Sequence, residues 1–85
     1  MTYRVIIEGK AQKEAAKIPV QQRTAIDKDI LSLASNPRPY DSKKLTEKEG
    51  YRIRAGNYRI LYPIDEKAKA VIVYRIKIKG KSVYI

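Results

Sequence analysis

The chain has 85 residues and contains neither cysteine nor histidine. Without cysteine it has no disulfide framework, no thiolate nucleophile and no thiolate metal site. Without histidine it lacks the commonest metal ligand and the commonest general base near neutral pH. Zinc fingers, catalytic triads and histidine-based nucleases are thereby excluded. Long apolar runs are missing too: Arg4 and Glu8 interrupt the N-terminal stretch. A signal peptide needs about 7–15 consecutive apolar residues and a membrane span about 20. No targeting or spanning segment is expected, and a cytoplasmic location is. No glycines fall at the spacing of a nucleotide-binding loop.

What is present is positive charge. Nineteen Lys and Arg against nine Asp and Glu give a net charge of +10, with 44% hydrophobic and 33% charged residues. That balance is globular, and the length is one small domain with a thin core. Residues 1–50 carry ten basic and seven acidic side chains, a net of +3; residues 51–85 carry nine and two, a net of +7. The electropositive part is also the part that reads as strand. A basic sheet surface with tyrosines interleaved suits a polyanionic partner, although a merely solvated face has the same composition.

Apolar periodicity gives the order of elements. Thr2–Ile7 reads as a strand, with Tyr3, Val5 and Ile7 on one face. Lys10–Lys17 reads as a short helix. Pro19 then suits the first turn of a second helix running to about Ala34, with Ile26, Ile30 and Leu33 beside Val20 as its stripe. Asn36-Pro37-Arg38-Pro39 stops it. From Tyr51 the period becomes two. Tyr51–Ala55 and Tyr58–Ile64 form a hairpin around Gly56-Asn57, with Pro63 at an edge or bulge, and Ala70–Ile78 is a last strand. The expected domain, residues 1–85, is α+β in the order β-α-α-β-β-β. It is an antiparallel sheet with a helical hairpin on one face and the other face open.

Arg52, Arg54 and Arg59 are the sharpest chemical feature. If all three reach the open face they lie within about 10 Å, two strand spacings. Such like charges repel, and a bound phosphate would neutralise them through bidentate hydrogen bonds. Lys43 and Lys44 add a basic pair ahead of the arginine strand. Arg75, Lys77, Lys79 and Lys81 add four cations in the tail, of which Arg75, Lys77 and Lys81, with Lys43 and Lys44, are expected to contact RNA, and Tyr84 is free to stack on a base or to pack. The paired carboxylates of Asp27-Lys28-Asp29 and Glu47-Lys48-Glu49 read as solvated surface, so neither metal nor cofactor is expected.

Asn36-Pro37-Arg38-Pro39, Lys43-Lys44-Leu45, the block from Tyr51 to Tyr62, and Val83-Tyr84 together resemble the RelE/ParE superfamily of bacterial toxins, the RelE branch most closely. The resemblance covers essentially the whole chain. It implies a fold of the microbial-ribonuclease kind and metal-independent endoribonuclease cleavage of messenger RNA in the ribosomal A site of the small subunit. Attack of the ribose 2′-oxygen leaves a 2′,3′-cyclic phosphate and a 5′-hydroxyl. It implies an acidic antitoxin as partner. Position by position, it assigns Arg52 and Arg54 to two basic strand residues that are lysines in the best-known members. Arg59 takes the contact to the scissile phosphate, Lys79 the proton donor to the leaving oxygen, and Tyr84 the stacking residue. Arginines at 52 and 54 stay protonated at working pH, so any lysine base must be another one, with Lys44 nearest in sequence. Two other readings fit the same residues: a ParE-like poison of DNA gyrase, and a non-catalytic RNA- or ribosome-binding module.

Overall fold

The computed structural model describes residues 2–45 and 50–78. Its elements are β1 (Arg4–Ile7), α1 (Gly9–Ala16), α2 (Val20–Ser32), β2 (Lys43–Lys44), β3 (Tyr51–Ala55), β4 (Tyr58–Tyr62), β5 (Ile64–Asp65), β6 (Ala70–Val73) and β7 (Arg75–Ile78). The two helices meet at Ile18-Pro19, where Pro19 supplies the extended residue before α2 and donates nothing that the helix needs. Helix α1 lies along β7 and α2 along β3. Both press on one face of a four-stranded sheet in the order β2-β3-β4-β7.

That face is apolar along β3, β4 and β7. Ile53, Ala55, Tyr58, Ile60, Tyr62 and Ile76 are buried against Ala11, Ile18, Ile26, Ile30 and Leu33. Each of these strand residues is two positions from the next along its strand, so the sheet residues between them are forced to the opposite side. Val20 does not join the stripe and is 66% exposed. Six positions before Ile26, it sits about 120° around the helix from the buried face.

The β3–β4 hairpin closes at Gly56-Asn57, with Ala55 paired to Tyr58. Only Gly56 of the two enters the left-handed region (φ +61), as a two-residue turn with glycine first permits. Gly50 (φ +125) leads into β3 so close to β4 that an added Cβ would stand 2.9 Å from the Tyr62 carbonyl. Glycine is required there on both counts.

Two local breaks divide the long strands. Pro63 has no N–H and separates β4 from β5. Across from it, Ile64 pairs with Val71 while Leu61 pairs with Arg75, so three residues (72–74) face two (62–63). The Tyr74 N–H bonds the Leu61 carbonyl at 3.1 Å, which makes Tyr74-Arg75 a β-bulge opposite Leu61. The bulge shifts the phase of the strand. Val71 and Val73 are buried before it, Ile76 after it.

The antiparallel expectation holds for every pairing but one. Strand β1 lies parallel to β6, in a three-stranded sheet ordered β1-β6-β5. The helical hairpin between β1 and the later strands is the crossover that a parallel pair needs. Among the described residues no helix is long and apolar enough to cross a membrane.

Candidate functional site

The open face of the four-stranded sheet carries the charge. Directly paired residues share a face, and the register places Arg54 across from Arg59 and Arg59 across from Lys77. The three cations therefore form one row over β3, β4 and β7, with paired Cα atoms about 5 Å apart. In the next row Lys43 faces Arg52, Arg52 faces Leu61, and Leu61 faces Arg75. Arg54 and Lys77 are exposed, Arg52 and Arg59 half-buried.

Like charges directly opposite each other destabilise a sheet by about 0.2–1 kcal/mol a pair. No described carboxylate forms an ion pair with Arg52, Arg54, Arg59, Lys43 or Lys77. The Arg59 Nε is itself buried and finds no hydrogen-bond partner among the described residues. A buried donor of a charged group is costly to leave unmade, by about 1–3 kcal/mol. A bound anion would relieve the repulsion directly, and would reach the buried Nε once the Arg59 side chain turns outward. A tetrahedral phosphate fits because guanidinium forks bond its oxygens in pairs.

Arg75 is treated differently. Its Nε donates to Glu14 Oε2 at 2.9 Å, and the Ile76 N–H donates to Glu14 Oε1 at 2.7 Å. Glu14 thus clasps the outer edge of β7 to α1 and draws Arg75 to the sheet's edge. The phase shift at the bulge is what puts Lys77, rather than its neighbours, beside Arg59.

A polar network braces the end of the sheet near β2. Tyr62 is fully buried and donates its hydroxyl to the Pro37 carbonyl at 2.7 Å. Burial, with the Asp41 carboxylate as a second cause, pushes its phenol up to about 12. Tyr51 stacks on Tyr62 with ring centroids 6.2 Å apart. Arg38 lies over the Tyr51 ring at 5.4 Å, donates to its hydroxyl at 3.2 Å, and pairs with Glu66 at 2.6 Å. The hydrogen bonds from Arg38 and from the Tyr3 hydroxyl hold the Glu66 carboxyl below its ordinary range.

Of the residues singled out by sequence, the fold brings Arg52, Arg54, Arg59, Lys43 and Lys77 onto one surface. It separates two others. Lys44 pairs with Tyr51, so it sits on the opposite face, and Arg75 is held by Glu14. Lys79, Lys81 and Tyr84 lie outside the described residues. Glu14 and the bulge escaped the sequence reading. Glu14 is 61 and 62 residues from its partners. The bulge left no sign in the sequence, because Ala70-Val71-Ile72-Val73 is a continuous apolar run with no alternation to break.

The chain matches a family model described as the ParE toxin of type II toxin–antitoxin systems over residues 5–82. No curated protein sequence matches it. Several solved structures are similar to it, three of which follow. The RelBE2 toxin–antitoxin complex of Mycobacterium tuberculosis is 26% identical with a TM-score of 0.82, covering 93% of this chain and 100% of that one. The RelE–RelB complex of Pyrococcus horikoshii is 26% identical with a TM-score of 0.80, covering 95% and 99%. The isolated RelE toxin of E. coli, at 22% identity and a TM-score of 0.80 over 96% and 90%, shares the fold.

Proposed function

The chain belongs to the ParE toxin family of type II toxin–antitoxin systems, and from that premise we propose that it is a ribosome-dependent endoribonuclease that cleaves messenger RNA in the A site. The observation that carries this reading is the Arg54–Arg59–Lys77 row, with a buried Arg59 Nε lacking any partner among the described residues. Guanidinium forks bond phosphate oxygens in pairs, which is what the row offers a nucleic-acid backbone.

The reaction is a transesterification. The ribose 2′-oxygen attacks the adjacent phosphorus, its proton leaves to a base, and the bond from phosphorus to the 5′-oxygen breaks. The 5′-oxygen takes up a proton, giving a 2′,3′-cyclic phosphate and a free 5′-hydroxyl. Arg54 and Arg59 hold the phosphate and stabilise the charge that grows on its equatorial oxygens, while Arg52 holds the strand one row away. Because arginine stays protonated, none of the three takes the 2′-proton. Water accepts it in this proposal, since Lys44 faces away. The ammonium of a tail lysine donates to the leaving oxygen. Lys77 is the one the register sets across from Arg59, and Lys79, assigned that role by resemblance, remains its alternative outside the described residues. Tyr84, also outside them, is proposed to stack on the substrate base. Lys43 and Lys81 contribute further RNA contacts, and Arg75 does so only when released from Glu14. The partner is a cognate antitoxin, acidic where it covers the cationic face.

The name of the matching family favours a second reading, poisoning of DNA gyrase. Primer-extension mapping of a defined messenger separates the two. The comparison is between ribosomes with an empty A site, messenger alone, and gyrase supercoiling assayed in parallel. Codon-phased cuts only with ribosomes support the nuclease. Inhibited supercoiling with no cuts supports the poison.

A further inference from the structure

Tyr40 is 104% exposed, more than any other large apolar side chain among the described residues. Tyrosine ordinarily buries about 150–250 Å² of surface, so a fully bare ring on a fixed backbone calls for a reason. The backbone is fixed. Ser42 closes a turn onto the Pro39 carbonyl through its N–H at 2.9 Å and its Oγ at 2.8 Å. Just before the turn, Pro37 is held by the buried Tyr62 hydroxyl, and Arg38 by Tyr51 and Glu66. Every neighbouring segment is anchored and Tyr40 anchors none of it.

The chain that follows it is basic. The turn runs directly into Lys43, which faces Arg52 on the open face, one row from Arg59. Asp41 is the one carboxylate of the turn, set against Lys43 and Lys44. An exposed aromatic ring three residues ahead of a line of cations matches the arrangement that holds single-stranded nucleic acid, the cations tracking phosphates and the ring stacking on a base. We infer that Tyr40 is a stacking platform for an unpaired RNA base, placed where a strand leaving the Arg59 row passes over Arg52 and Lys43. This rests on the RNA-cleaving reading. The base comes either from the messenger or from ribosomal RNA, and the chemistry at Tyr40 is the same for both.

The test compares Tyr40→Ala, Tyr40→Phe and Lys43→Ala in two assays. One is anisotropy with a labelled 2′-O-methyl RNA of about eight nucleotides; the other is cleavage on ribosomes with kcat and KM separated. The platform predicts that Tyr40→Ala weakens binding about 5- to 100-fold, while Tyr40→Phe stays within about twofold because the stacking face is kept. The salt slope should be unchanged in Tyr40→Ala and reduced by about one in Lys43→Ala, since only the lysine releases a counterion. Weaker oligonucleotide binding assigns the base to the messenger. A raised KM on ribosomes with oligonucleotide binding intact assigns it to ribosomal RNA. Unchanged behaviour of Tyr40→Ala in both assays, with the wild type active, overturns the platform. So does a defect confined to antitoxin binding, which would make Tyr40 a protein contact. A wild type that neither binds RNA nor cuts on ribosomes overturns the nuclease reading, and the platform with it.

Discussion

Arg59 and Arg75 stand on adjacent strands, one row apart in the same sheet, and the fold treats them in opposite ways. Arg75 has a carboxylate reaching to it from α1, and the same carboxylate takes the free N–H of Ile76. Arg59 has a cation on either side and a buried Nε with no partner among the described residues. An arginine that serves the fold is neutralised by the fold. One left charged, flanked by like charges and partly desolvated is, in the proposed reading, held for an anion that no described residue supplies. The contrast locates function more sharply than net charge does, because it removes one cation from the site while keeping the others.

The largest expected effect comes from giving Arg59 what Arg75 already has. Lys77→Glu would set a carboxylate directly across from it, turning a like-charge pair into an opposite one. Cleavage on ribosomes should fall on the order of 100-fold or more, since the carboxylate occupies the place of the phosphate. The melting temperature should hold or rise, because the repulsion of about 0.2–1 kcal/mol is relieved. Next is the converse. Glu14→Ala strips Arg75 and the Ile76 N–H of their partner and should lower stability in urea by about 1–3 kcal/mol. If stability is unchanged, the clasp is not what sets Arg75 apart.

A smaller effect is expected at the braced end of the sheet. Tyr62→Phe leaves the Pro37 carbonyl without its donor, at a cost of about 1 kcal/mol. It also changes the alkaline limb. The phenol is pushed up to about 12 from an ordinary value of 10.0, so the unfolded chain releases this proton first. The stability contributed by Tyr62 is therefore complete below about pH 10 and lost as pH rises through about 12. Denaturant melts between those values should fall more steeply for the wild type than for Tyr62→Phe.

Much of this was legible in the sequence. The hairpin from Tyr51 to Tyr62 follows from the period of two on both sides of Gly56-Asn57; alternation put Arg52 and Arg54 on one face, and the register of the hairpin adds Arg59 to it. Helix positions follow from Ile26, Ile30 and Leu33, whereas Val20, about 120° around the helix from Ile26, falls outside their stripe and is exposed. The parallel pairing of β1 with β6 was not legible, because periodicity gives a strand's faces and not its neighbour. The same holds for Glu14, whose partners are brought to it only by tertiary packing. At Tyr74-Arg75 the apolar run of residues 70–73 hides the change of phase, and only the register shows that it delivers Lys77 to Arg59. Tyr40 was passed over because an aromatic in a polar loop gives no periodic signal.

The central claim is that the Arg54–Arg59–Lys77 row exists for a phosphate and not for the fold. Arg59→Gln, followed by thermal unfolding and by primer extension on ribosomes in the same preparation, tests it most directly. The account predicts a melting temperature equal to or above that of the wild type, with codon-phased cleavage reduced by about two to three orders of magnitude. A clear fall in melting temperature with cleavage intact would contradict it, and would make Arg59 a structural residue like Arg75.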